Sequence, residues 1–301
     1  MGLAERLEAA RTGSAVGPVE APGVLRASGL DAARFLHRVS AQDLARLRAG
    51  EAAWAAFLEA RGRLVADALV LAREDDLLLL LAVEAVPSLL AHLRKYAVMD
   101  RVTLEDLGGA LRCLAVLGAK GVAALDRSGP AAVLDDPRRG APAASVLVAA
   151  AEAEAFRTGL VAGGATALDA ADLEALRVEA GLPRFGADMD GDRLALEAGL
   201  VGAAVRLDKG CYIGQEVMLR GTYRGQVQRG LVQLELPGGA SPGAALLAGG
   251  REVGRVTSAA ETPAGRLGLG YLRRAHWREG ERLATDGGEA VVRRALVAER
   301  D

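Results

Sequence analysis

Lys209-Gly210-Cys211-Tyr212-Ile213-Gly214-Gln215-Glu216 compresses an ammonium, a thiol, a phenol and an amide–carboxylate pair into one run of a 301-residue chain. Elsewhere the chain spends few residues on chemistry, with only three histidines, two cysteines and four tyrosines in all. Lys209 precedes Cys211 by two positions, close enough to lower the thiol's pKa if both side chains face one way. Gly210 and Gly214 let the backbone turn or approach a ligand closely. A plainer reading makes the run a loop entering a short helix over residues 215–220, with Cys211 a small buried hydrophobe.

Three other places hold charge where it needs explaining. Asp67 sits among Leu64-Val65-Ala66 and Ala68-Leu69-Val70, and a carboxylate in so apolar a strand is costly to bury without a partner. It therefore faces solvent or lines a polar cavity. Glu179 and Arg177 fall on opposite sides of a helix, so one of them faces inward; the alternative for Glu179 is an exposed helix-end carboxylate. Asp188, Asp190 and Asp192 imitate a calcium loop, but Arg193 stands where glycine is required and Gly199 where a bidentate acid is required. These acids read as surface or pocket-rim groups, and no metal site is expected. A basic strip at Arg220, Arg224 and Arg229 reads as solvated or packed surface. Cys113, within Leu111-Arg-Cys-Leu-Ala-Val-Leu117, reads as core.

The elements that must position these groups follow from periodicity. A helix is predicted over residues 1–12, then loop over 12–22, a strand over 23–27 and a helix over 32–39 with Phe35, Leu36 and Val39 on one face. A short helix is expected over 42–47, strands over 52–58, 63–71 and 77–83, and a helix over 86–95 with Pro87 in its first turn. A second set follows, with segments at 102–104, 112–117, 120–124 and 144–149, loop over 126–142, and a helix over 169–180. From Arg229 short strands separated by glycine and proline turns, at 231–236, 243–247, 252–258, 266–271 and 290–297, predict a small barrel or sandwich. No P-loop, dinucleotide fingerprint, H-E-x-x-H or solenoid repeat occurs.

Composition narrows the function classes. A 51% hydrophobic chain suits a globular protein, and 3% aromatics disfavours a stacking platform for single-stranded nucleic acid. A net charge of −2 supplies no global field toward nucleic acid or anionic lipid. Two distant cysteines make no disulfide framework, no signal segment opens the chain, and the run 77–83 is too short to span a bilayer. A cytoplasmic protein is expected, without membrane or direct nucleic-acid partners.

The octapeptide resembles the K-G-C-Y-x-G-Q-E motif of the YgfZ family of folate-binding proteins, relatives of the glycine-cleavage T-protein (aminomethyltransferase). Arg177-Val-Glu179-Ala-Gly181-Leu-Pro-Arg-Phe-Gly186 resembles an R-x-E-x-G-x-x-x-x-G segment of both groups. Gly62-Arg-Leu-Val-Ala-Asp67 resembles the glycine-led strand that carries a catalytic-region aspartate. Gly250-Arg-Glu-Val-Gly-Arg-Val-Thr-Ser258 and Gly268-Leu-Gly-Tyr-Leu-Arg273 resemble the C-terminal barrel.

The resemblance implies an α+β, T-protein-like, three-lobed fold. Two intertwined α/β folate-binding lobes would span residues 14–228 and a C-terminal β-barrel residues 229–301, around a central folate cavity. It implies a ligand, tetrahydrofolate or a one-carbon-substituted folate, held by Asp67, Glu179 and Arg220. Glu179 would be the pterin anchor, since a carboxylate accepts both the 2-amino and ring N–H bonds of a pterin. Cys211 and Asp67 are the implied catalytic-region residues. The T-protein tyrosine after that aspartate is replaced near Leu79, the segment before the first lobe is short, and the T-protein does not normally carry the thiol motif. These departures favour an accessory protein of iron–sulfur cluster assembly or repair, serving clusters that include those of tRNA-modifying enzymes. It would be transferase-like without classical aminomethyltransferase turnover, and its partners would be iron–sulfur enzymes or assembly proteins. A conventional cluster takes about four thiolates, so two cysteines exclude an ordinary ferredoxin. The alternatives are a folate aminomethyl- or methyltransferase and a non-catalytic scaffold.

Overall fold

The computed structural model describes residues 1–129, 131–224 and 227–297, except for the side chains of Tyr223 and Arg224. The side chain of Arg224 of the expected basic strip and the last four residues of the expected barrel region thus lie outside the described set.

The chain begins with α1 (Leu3–Thr12), β1 (Ala15–Glu20), β2 (Gly23–Ser28), α2 (Ala32–Val39), β3 (Ala52–Leu58), β4 (Leu64–Ala72), β5 (Asp76–Leu81), α3 (Val86–Tyr96) and β6 (Thr103–Asp106). β3-β4-β5-β2-β6 form one antiparallel sheet in that order. β4 is buried at every position except Val65, as expected of a nearly continuous apolar run covered on both faces. Its alternate residues Ala66, Ala68 and Val70 pack with Phe35, Leu36, Leu89 and Leu93 of α2 and α3. Leu64, Leu69 and Leu71 point the other way, toward Cys113, Leu134 and Leu147 of a second sheet. Period two puts Asp67 on this inter-sheet face.

The second sheet comes from β7 (Leu111–Leu117), β8 (Ala132–Asp135), β9 (Ala143–Ala149) and β10 (Thr166–Ala167), with α4 (Ala119–Ala123) and α5 (Ala153–Ala162) between them. Its order, β10-β1-β7-β9-β8, takes in β1 from the start of the chain. β1 and β2 are thus neighbours in sequence that enter different sheets, which intertwines the two lobes. α6 (Ala170–Ala180) starts in a capping box between Asp169 and Asp172 and ends at Gly181, whose φ of +77° reverses the chain. After α7 (Gln215–Arg224), strands β11 (Arg229–Glu235), β12 (Ala245–Ala248), β13 (Arg251–Thr262), β14 (Gly265–Arg273), β15 (Arg282–Thr285) and β16 (Gly288–Ala295) close a barrel. The α+β, three-lobed architecture expected from the sequence is present, with two five-stranded sheets and a closed barrel.

Several local expectations give way. Residues 15–20 are a strand despite Pro18, because the β1–β7 register breaks between Val16 and Val19, where proline's missing N–H breaks no ladder bond. Residues 42–47 form turns: Asp43 N–H donates to Gln42 Oε1 and Ala45 N–H to Asp43 Oδ1, side-chain bonds that compete with helix. Residues 119–123 are helical, and β8, α5 and β15 are additional to the sequence reading.

Candidate functional site

A cavity of about 560 Å³ lies where β4, β5, β7, the β1–β2 connection, α6 and residues 183–185 meet. Asp67 stands on its wall, only 6% exposed, and accepts a 2.7 Å hydrogen bond from Trp54 Nε1 on the neighbouring strand. Burial pushes the Asp67 pKa up, and the guanidinium of Arg138 opposes the shift. A carboxyl so placed can accept hydrogen bonds as an anion or exchange a proton at a higher pH than an exposed aspartate. Leu79, near which the resemblance put the lost tyrosine, lies in the core on the helix-covered face of the sheet, while Leu80 and Leu81 line the cavity.

The opposite wall comes from the turn between β8 and β9. Arg138 grips both oxygens of Asp136, at 2.8 and 2.9 Å, and Ser145 donates to the same carboxylate at 2.6 Å. Arg139 pairs with Glu20 at 2.9 Å and lies 3.4 Å from Asp136. Burial acts to raise the Asp136 pKa, but the two arginines and Ser145 outweigh it and hold the carboxyl below its ordinary range. Cys113 is buried as expected, yet it also lines the cavity; burial pushes its thiol up to about 11, against the pull of Arg139. The sequence reading missed Arg138 and Arg139 because Asp136-Pro137-Arg138-Arg139 has the composition of an exposed loop. Its signal was two arginines flanked by acids whose charges could cancel.

On α6 the inward residue is Arg177. It is 6% exposed, lines the cavity, and donates to Glu174 at 2.6 and 3.0 Å and to Asp188 at 2.6 Å. Glu179, the implied pterin anchor, lies outside the cavity lining and pairs with Arg11 of α1 at 2.6 Å. The helical register that turns Arg177 inward turns Glu179 toward α1. Asp188 is not a surface group: it is 2% exposed and also accepts from Thr257 and Ser258 of β13, at 2.5 and 2.7 Å, which fastens α6 to the barrel. Asp190 and Asp192 are exposed.

The octapeptide stands apart from the cavity. Cys211 is exposed, whereas Lys209 is buried, so the two side chains do not face one way. The Lys209 ammonium donates to the carbonyls of His37, Ser40 (2.8 Å) and Gln42 (2.9 Å), at and just beyond the end of α2. Burial lowers the Lys209 pKa to about 8, with Asp43 as the opposing charge. Tyr212 is buried with its ring 5.5 Å from that ammonium, and Gln215 Nε2 donates to the Lys209 carbonyl at 3.5 Å. Glu216 pairs with Arg220 one turn later on α7, both exposed. Arg220 is therefore a surface residue and does not join Asp67 in the cavity. The motif's chemistry reduces to one accessible thiol on a loop held from beneath.

Residues 2–165 match the GCVT N-terminal domain family, and residues 228–296 match the CAF17 C-terminal beta-barrel domain. An aminomethyltransferase of Rubrobacter xylanophilus is 30% identical over 90% of this chain and 79% of its own length. The mitochondrial "iron-sulfur cluster assembly factor IBA57 homolog" of Phaeosphaeria nodorum is 27% identical over 75% of this chain and 56% of its own. The fold is that of the glycine cleavage system aminomethyltransferase T from Bartonella henselae, with a TM-score of 0.83, 20% identity, and coverage of 97% of this chain and 88% of that one.

Proposed function

This chain belongs to the family of the GCVT N-terminal domain, and we propose that it is a YgfZ-type folate-binding protein that supports iron–sulfur cluster assembly or repair. The observation that carries the reading is Asp67, a buried carboxylate facing a cavity of about 560 Å³, within the 300–1,000 Å³ usual for small-molecule sites. A reduced folate fits its chemistry. Asp67 offers an anionic acceptor to the pterin's paired N–H donors, Trp54 fixes the carboxylate's orientation, and Leu80, Leu81 and Phe185 supply apolar surface. Arg184 stands at the lining with a guanidinium for the glutamate carboxylate. When bound, the folate supplies a nitrogen able to carry a one-carbon unit. The protein's own part is to bind and orient the ligand through the Asp67 carboxylate. In this reading Glu179 and Arg220 have no folate contact, the folate-binding region is the one expected over residues 14–228, and the barrel is built by β11–β16.

The support for a cluster-related role is the CAF17-type barrel, the likeness to the IBA57 homolog, and a thiol that faces outward. Cys211 then serves a partner, an iron–sulfur enzyme or assembly protein in the cytoplasm, including those that modify tRNA. A thiol that meets sulfur or iron on another protein needs access, which the loop gives; a covalent nucleophile in the folate reaction would have to line the cavity. Titration calorimetry with tetrahydrofolate, comparing wild type with Asp67→Asn, tests the ligand. Complementation of cells lacking the protein tests the outlet: Cys211→Ser keeps folate affinity and loses support of cluster-dependent enzymes. Full rescue by the serine variant removes the thiol from function. The 30% likeness to an aminomethyltransferase favours a second reading, aminomethyl transfer, which turnover with an aminomethyl donor distinguishes.

A further inference from the structure

Single exposed apolar side chains are ordinary on a protein surface; several on adjoining loops are not. Among the described residues the three most exposed large hydrophobics are Met99 (92%), Leu30 (82%) and Val98 (79%). They stand on two connections, Leu30 between β2 and α2 and the other two between α3 and β6. The connections are fastened to each other. Arg101 N–H donates to Asp31 Oδ2 at 2.9 Å, Asp31 N–H donates to the Arg101 carbonyl at 3.3 Å, and Arg38 pairs with Asp100 at 2.6 Å. The charge around them is one-sided: segments 29–38 and 94–101 hold five lysines and arginines against two aspartates. Asp31 and Asp100 are largely covered while their partners Arg34, Arg38 and Arg101 are exposed, so the face turns guanidinium groups outward. The thiol loop is fastened to the same helix. Lys209 holds that loop by donating to the His37 carbonyl, and Arg38, next in the chain, holds Asp100 beside Met99.

We infer that Leu30, Val98 and Met99, with Arg34, Arg38 and Arg101 around them, dock an acidic partner protein, the one that Cys211 serves. The inference rests on the reading that Cys211 acts on a partner, and adds where that partner sits and what its surface is made of. An apolar centre with a charged rim is how protein interfaces are built, and methionine and arginine are enriched in them. The matching partner presents a few apolar side chains ringed by Asp and Glu. Guanidinium groups already held by Asp31 and Asp100 are oriented forks, which lose little further side-chain entropy on meeting a carboxylate. An anionic membrane fits less well. None of the three exposed side chains is an aromatic that settles at a lipid interface, and a net charge of −2 supplies no pull toward one.

The test is complementation of cells lacking the protein, with variants expressed at graded levels and the activity of cluster-dependent enzymes as the readout. Met99→Glu and Arg34→Glu each give the face the wrong charge and touch neither the cavity nor the thiol. Weakened docking is overcome by mass action, whereas a missing thiol is not. Each of the two is expected to raise the expression needed for half-maximal support about tenfold, with full support regained at high expression. Cys211→Ser should give none at any level. Circular dichroism and tetrahydrofolate titration of the purified variants separate a docking defect from a folding defect. One acidic protein should also cross-link both to a photo-reactive phenylalanine analogue in place of Met99 and to a photo-reactive maleimide on Cys211. Full support by both charge variants at the lowest expression, or a partner caught at Cys211 but not at Met99, overturns the inference and leaves the role of the thiol standing. Sedimentation of the wild type with phosphatidylglycerol vesicles, lost in Met99→Glu, assigns the face to a membrane and overturns it as well. Full support by Cys211→Ser overturns the inference and the reading beneath it together.

Discussion

Gly214 lies against Gly62: a Cβ on Gly214 would stand 3.3 Å from the Gly62 Cα and 2.6 Å from the Glu59 carbonyl oxygen. Both glycines have positive φ, +83° and +76°. The loop bearing Cys211 is thus docked on the β3–β4 turn, and the strand leaving that turn carries Asp67 only five residues on, at most about 18 Å of chain. Thiol and cavity carboxylate are separate sites joined through one rigid hairpin. Gly214→Ala is expected to destabilise the fold by about 1–3 kcal/mol, from left-handed strain and backbone overlap. An unchanged urea midpoint would show that the loop is not seated there.

Asp67→Asn keeps the shape of the side chain and removes the anionic acceptor. Tetrahydrofolate affinity should fall by about 1–3 kcal/mol, the usual loss for a buried hydrogen-bonding partner. Glu179→Ala should leave that affinity unchanged and, by loosening α1 at Arg11, lower stability by about 0–1 kcal/mol. Calorimetry and denaturation on both variants check the pair, and the reverse pattern restores Glu179 to the site.

Lys209→Met leaves the carbonyls of His37, Ser40 and Gln42 without their shared donor, which reaches the latter two at 2.8 and 2.9 Å. Stability should fall by about 1–3 kcal/mol or more. The native-state alkylation rate of Cys211 should not change, because the ammonium faces the interior. A marked slowing would reinstate Lys209 as the group that activates the thiol.

The two thiols should separate cleanly in labelling. Cys211 is exposed, while Cys113 is 0% exposed with its pKa pushed up to about 11, so Cys211 reacts first and Cys113 only as fast as the protein opens. Mass spectrometry of alkylated peptides over time resolves them. Early labelling of Cys113 would mean that the cavity wall admits reagent.

His92 makes stability fall in mild acid. Burial, aided by Lys95, lowers its pKa from 6.5 to about 4, and its Nε2 is buried without a partner. Between those two pH values the unfolded chain binds the proton that the folded chain refuses, so this contribution is fully present above pH 6.5 and is lost toward pH 4. Melting temperatures at neutral and mildly acid pH should differ less in His92→Leu than in wild type. The same drop in both proteins removes His92 as a cause.

The two sites differ in how much of them the sequence disclosed, for physical reasons. Asp67 was legible because a charge inside an unbroken apolar strand must face a cavity or water. The choice between Arg177 and Glu179 was not, because α6 is buried on several sides, with Asp172, Leu173, Ala175, Leu176, Arg177 and Val178 all covered. A helix without a clear apolar stripe gives its period but not its orientation. Arg138 and Arg139 were hidden by their own compensation, since a buried cation is stable only beside acids and such a mixture looks like surface. β1 was hidden by Pro18, which the break in the β1–β7 register accommodates.

The exchange of β1 and β2 between sheets also constrains how the chain is made. β1 ends at Glu20, and its antiparallel partner β7 begins at Leu111, so β1 emerges from the ribosome about 90 residues before it has an antiparallel strand to pair with. At ~5–20 residues per second that is a wait of roughly 5–20 s, during which the first sheet can close around β2 while β1 hangs free. The cavity needs both sheets and α6, so it exists only once nearly two thirds of the protein has been synthesised. A nascent chain halted before α6 would expose the inter-sheet face of β4, Asp67 included, to every chaperone and protease nearby.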